Sequence, residues 1–148
     1  MKRYRIILSV IAVVLLIAGG LWLYWERQLP LQDFLPQEDA VACSLMGAVF
    51  EGHVIYSVDD DTAERIIRCL NSAGADRGPH FDSWHGDAFA VMISYTGETH
   101  PWVSIVVNDS GQILLFNGEE DKSYYFEGGE ELYRQIRAIA EDLPGGAS

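Results

Sequence analysis

The sequence predicts an α+β fold: one N-terminal transmembrane helix, then an antiparallel sheet of five to six strands with two amphipathic helices on one face, in the order ββ-α-ββββ-α. Three observations predict it. Residues 6–25 form a run of 20 amino acids without a charge, six short apolar or alternating stretches between residues 41 and 128 are separated by turn signals, and two segments repeat apolar residues at helical spacing. The expected organisation is a cytoplasmic tip and anchor over 1–25, a linker over 26–40, one α+β domain over 41–143 and a flexible tail over 144–148. A stretch the length of 41–143 suffices for a single core.

The first run, IILSVIAVVLLIAGGLWLYW, spans about 30 Å at about 1.5 Å per helical residue, the thickness of a bilayer's hydrocarbon core. Lys2, Arg3 and Arg5 precede it, which by the positive-inside rule keeps the N-terminus cytoplasmic and sends the rest of the chain outside. Trp22, Tyr24 and Trp25 suit the outer interfacial belt, where an aromatic ring sits half in water. A cleaved signal peptide is the competing reading, since Ala18 and Gly20 are small residues at cleavage-site spacing. The apolar run exceeds the roughly 7 to 15 residues of a signal core and continues through Trp25, which favours an uncleaved anchor. The first cysteine is Cys43, so no lipidated cysteine directly follows the run.

Pro30 and Pro36 with Glu26, Asp33, Glu38 and Asp39 give residues 26–40 the composition of an extended stalk. VACSLMGAVF and HVIYSV then read as two strands joined at Glu51-Gly52, with a bulge or bend at Gly47. Asp61 followed by Glu64 reads as a capping box, and Ala63, Ile66, Ile67 and Leu70 fall on one face of the helix it would start; Asn71 to Gly74 ends it. A loop runs from Ala75 to Asp87. AFAVMISY, WVSIVV and QILLF follow as a meander, SYYFEG as its last strand, and Leu132, Ile136, Ile139, Ala140 and Leu143 make the stripe of a closing helix that Pro144 stops.

Of 22 acidic and ten basic residues, one acid (Glu26) and four bases lie in the first 27 positions, which leaves 21 acids against six bases over 28–148, a net charge of −15. Such a domain repels a phosphate backbone, so nucleic acid is excluded as a partner.

Metal-type ligands concentrate only in HFDSWHGD, where His80, Asp82, His85 and Asp87 are the donors Zn²⁺ takes, although the His-Glu-x-x-His spacing of a zinc protease helix is missing. The plain alternative is a polar loop with Phe81 or Trp84 tucked onto the core. His53 and His100 read as strand-end or turn residues. Cys43 and Cys69, outside the membrane, are either a disulfide or two buried thiols; without a C-x-x-C spacing they are not a redox pair. The acidic runs at Asp59 and at Glu119 lack the alternating ligands and glycine of an EF-hand loop. A Gly-x-Ser-x-Gly elbow and a phosphate-cradling glycine loop are both missing, so no catalytic residue, cofactor or cofactor site is expected. If Phe89, Val91, Ile93 and Tyr95 face the helices, the opposite face carries Ala90, Met92, Trp102, Val106 and Leu114, more apolar than a wetted face requires. Either the sheet curls over that face or a partner covers it.

The capped helix DTAERIIRCLNSAG, the hairpins AFAVMISYTGE and WVSIVVNDSGQILLF, and the closing helix ELYRQIRAIAED, behind an anchor, make the chain resemble small membrane-anchored extracytoplasmic α+β domains of Gram-positive bacteria. The likeness covers residues 41–143 and rests on the order of elements. It departs in using a transmembrane helix where such domains often carry a lipidated cysteine, and it implies no functional residue. The expected function is a non-catalytic, membrane-tethered extracytoplasmic interaction or ligand-binding module, with Met92, Trp102 and Val106 as its contact face. Its partners would be the lipid bilayer through residues 6–25 and an envelope protein, a membrane protein or a second copy. The alternative is a metal-binding enzyme or sensor built on the His80 loop.

Overall fold

The structure, a computed structural model, describes residues 2–25, 28–36, 39–49, 52–81, 86–96, 101–118 and 120–144. Helix α1 (Lys2–Trp25) has every described side chain exposed, and its segment Ile7–Tyr24 is long and apolar enough to cross a membrane. Beyond it, eight strands among the described residues form one antiparallel sheet. In chain order they are β1 (Leu29–Pro30), β2 (Ala40–Val49), β3 (Gly52–Tyr56), β4 (Gly74–Arg77), β5 (Ala88–Tyr95), β6 (Trp102–Asn108), β7 (Ile113–Asn117) and β8 (Lys122–Glu127); across the sheet the order is β1-β4-β8-β7-β6-β5-β2-β3. Helices α2 (Asp60–Ser72) and α3 (Glu130–Asp142) pack against each other and share the core with the sheet's inner face.

Strand alternation decides which side chains face inward. On β5, Phe89, Val91, Ile93 and Tyr95 are buried, opposite Val107, Ile105 and Val103 of β6 and Gly47, Leu45 and Cys43 of β2. Ile113 and Leu115 of β7 and Phe126 of β8 continue the layer, and Ile66, Leu70, Leu132, Ile136 and Ile139 close it from the helices. The β6–β7 hairpin is locked by buried Asn108. Its amide donates to Gln112 Oε1 at 2.8 Å, and its Oδ1 accepts from the Gln112 N–H at 2.8 Å and from Ser110 Oγ at 3.0 Å. Gly111, at φ +80°, supplies the left-handed turn residue there.

The architecture corrects the expectation at four points. The sheet has eight strands, not five to six: β1 and β4 are added at one edge, where Leu29 pairs with Ala75 and Asp76 with Glu127. GADR has no apolar alternation, so β4 owes its conformation to its neighbours on either side. Second, of the three α-helices among the described residues two pack against the sheet as expected, but their layer also contains a 3-10 turn, Leu31–Phe34. Third, part of the expected 26–40 linker belongs to the domain. Leu31 is fully buried and donates its N–H to the Ala73 carbonyl at 3.0 Å, Leu35 is buried, and the Phe34 ring lies 5.0 Å from those of Tyr124 and Phe126. Fourth, the cap of α2 is Asp59, whose Oδ1 accepts from the Thr62 N–H at 2.8 Å; Asp61 lies inside the helix. Of the other expectations, the residue Glu51 at the β2–β3 turn and the tail 145–148 lie outside the described residues.

Leu31→Ala tests whether this segment is structural. Removing a fully buried leucine side chain costs about 3 kcal/mol, so urea unfolding of the full chain in detergent micelles will show that loss, whereas a leucine in a wetted stalk would change stability by less than about 0.5 kcal/mol.

Candidate functional site

Because α2 and α3 sit on the inner face, the other face of the sheet carries neither of them. Its side chains stand in register rows. One row runs Ile55, Met46, Ala90, Val106, Leu114, Tyr125 across β3, β2, β5, β6, β7 and β8. The next carries Met92 between Ser44 and Ser104, and the one after it pairs Ser94 with Trp102. Exposure is concentrated on the β3-β2-β5-β6 side: Ile55 is 67% exposed, Met92 48%, Met46 38% and Trp102 37%. Toward β8 the face is partly covered, since the His80 and Phe81 rings lie 4.5 and 5.0 Å from that of Tyr125.

Trp102 is held in place. Its ring centroid lies 5.3 Å from that of Phe116, its carbonyl accepts from the Gly118 N–H at 3.0 Å, and the indole occupies the space a Cβ at position 118 would take. A large aromatic side chain already fixed in one pose loses little entropy on being covered, which is the property of an anchor residue at an interface. Of the three expected contact residues, Met92 and Trp102 stand out from this face, while Val106 lies on it half-buried. Met46 and Ile55 belong to the same patch and were missed. They fall on the non-core phase of two strands whose pairing the alternation does not specify.

Of the expected metal loop, His80 and Asp87 are described and lie apart. Asp82 and His85 lie outside the described residues, as do Trp84, His100 and Glu119. His80 packs on β8, whereas Asp87 precedes β5 and its carbonyl accepts from the Asp109 N–H at 3.0 Å. With β7 and β6 between β8 and β5, about 14 Å of sheet separates the two. Among the described residues, no group of three or more His, Cys, Asp or Glu side chains is placed to hold a metal ion. His53 lies on β3 opposite Ala48 and shares no cluster with them.

Cys43 and Cys69 are free thiols. Cys43 points inward from β2 into a groove lined also by Ala63 and Ile67 of α2, whereas Cys69 shares its helix flank with Arg65, which pairs with Asp142 of α3 at 3.3 Å. Cys43 thus lies on β2 and Cys69 on α2, with no bond between them. Burial pushes the Cys43 thiol up to about 11 and raises that of Cys69. Tyr95, on the same inner face, is pushed up to about 12, mainly by burial and secondarily by Cys43. These groups are held in their neutral forms, the opposite of an activated nucleophile.

The chain matches no protein-family profile, no curated protein and no solved structure.

Two consequences of the buried thiol are measurable. With its proton leaving near pH 11 in place of 9.0, Cys43 carries about a hundredfold less thiolate at pH 8 than an unshifted thiol, so native maleimide labelling will lag far behind labelling in guanidinium. Equal rates would contradict the placement. Between pH 9 and 11 the unfolded thiol loses its proton before the folded one, so the unfolded state binds fewer protons and stability falls as pH rises through this window. In Cys43→Ala that alkaline loss, followed by urea titration, shrinks to the part due to the other raised groups, Cys69, Tyr95 and Tyr133.

Proposed function

We propose that the chain is a non-catalytic extracytoplasmic interaction module, held at the membrane by α1 and docking a protein partner on the exposed face of its sheet. The observation that carries it is the patch formed by Met92 and Trp102 with Met46 and Ile55, apolar, contiguous in register and containing a fixed tryptophan. Lys2, Arg3 and Arg5 support a cytoplasmic N-terminus, and the interfacial aromatics Trp22, Tyr24 and Trp25 support an uncleaved anchor. The resemblance to anchored extracytoplasmic domains of Gram-positive bacteria agrees with this arrangement. The partner is a different protein of the envelope or membrane, because two copies would each bring a net charge of −15 over residues 28–148 to a common interface.

A photo-cross-linking amino acid at Met92 in the full chain, in its own membranes, will give a discrete heterologous adduct that Trp102→Ser removes without altering the circular dichroism spectrum. The same group at Ser123, exposed on β8 at the far side of the face from the patch, will give none. Adducts of twice the chain mass would show self-association and overturn the choice of partner; equal labelling from both positions, or from neither, would overturn the docking face.

A further inference from the structure

Strand β2 is twice the length of its outer neighbour. It spans Ala40–Val49, β3 only Gly52–Tyr56, and the last pair between them is Leu45 with Tyr56. Beyond Tyr56 the chain leaves the sheet because Asp59 caps α2, which starts at Asp60. Ala42, Cys43 and Ser44 therefore pair with β5 on one side, opposite Ser94, Ile93 and Met92, and among the described residues face no strand on the other. A register shift between Ala40 and Ala42 marks where regular pairing stops. An uncovered stretch of strand edge is a template for another extended chain.

This edge opens onto a groove of about 470 Å³ between β2 and the exposed flank of α2. Cys43, Val58 and Ile67 give it apolar walls, and Asp59, Asp60 and Glu64 line its α2 side. A strand laid along Ala42–Ser44 in continuation of β3 would send alternate side chains into the groove and onto the outer face beside Ala42 and Ser44. The groove suits a side chain with an apolar stem and a cationic head, which is lysine or arginine; the other side suits a β-branched apolar residue.

We propose that the β2 edge binds an extended segment of the partner in which basic and apolar residues alternate. The inference rests on the interaction-module reading and supplies the chemistry of the partner, through a surface distinct from Met92 and Trp102. Charge selects this occupant. A second copy would add its own acidic flank to this one, and the chain's own basic cluster, Lys2, Arg3 and Arg5, lies across the bilayer in the proposed orientation.

The test uses the full chain in phosphatidylcholine nanodiscs and a fluorescent octapeptide alternating lysine with valine, read by anisotropy and by amide hydrogen exchange. Binding will protect the amides of residues 42–44. It will weaken by at least about tenfold when alternate peptide nitrogens are methylated, since the strand donors are then gone, and by roughly tenfold in the Asp60→Lys, Glu64→Lys variant, which keeps the Asp59 cap. Equal binding of the methylated peptide would mean adsorption to an acidic surface and would overturn the proposal, with no variant needed. No binding, or protection elsewhere with residues 42–44 unchanged, would overturn it as well. Trp102→Ser alone separates the two readings: peptide binding survives it if the edge is the site, whereas the cross-link from position 92 does not.

Discussion

The burial of β5 against α3 is the contact on which the rest of the domain is built. Phe89 lies with its ring 5.5 Å from that of Tyr133, and β5 is flanked by β2 and β6, the two strands with which it shares its longest registers. Every inward residue of those three strands takes its phase from this alternation, since a slip of one position would turn the whole inner set outward. The same constraint creates the surface proposed for docking. A sheet whose helices all lie on one side has a second side of equal area, and residues interleaved with Phe89, Val91 and Ile93 stand on it, among them Met92.

Legibility in the sequence followed from how strongly each element signals its own conformation. Six strands carry runs of alternating or β-branched residues, and α3 carries an unbroken stripe from Leu132 to Ala140, so local pattern and tertiary burial agree there. β1 and β4 are two and four residues long, contain Pro30, Gly74 and Asp76, and exist because β8 and each other's backbones are beside them. Composition misled over 26–40, where prolines and acids conceal Leu29, Leu31, Phe34 and Leu35, which pack on or within the core. The cap was misplaced by two residues for a traceable reason: the buried stripe of α2 runs back from Leu70 and Ile66 to Thr62, not to Ala63, which requires the first turn to begin at Asp60.

At the candidate site, chemistry that looks concentrated along the chain is dispersed in space, and the reverse. His80 and Asp87 are seven positions apart in sequence but lie at strands separated by β7 and β6. Met46, Ile55 and Trp102, scattered over 57 positions, become one patch through the register of four strands. Periodicity reports which side of its own strand a residue occupies; the order of strands decides what it meets.

With α1 as the proposed anchor, the place where it joins the domain has a mechanical meaning. Chain leaving α1 enters the fold at β1, a two-residue strand at the sheet's border, followed by the buried turn at Leu31 and Leu35. In a tethered module, tension between bilayer and partner would load β1 first and peel it from β4 one backbone contact at a time, in place of shearing several contacts together. Residues 29–39, once released, extend to about 35 Å, while the central strands β5, β6 and β7 are not in the line of force at that stage. In a module tethered as proposed, the border strand and the buried turn with its two leucines would act as a short extensible cable, yielding before the proposed docking surfaces are disturbed.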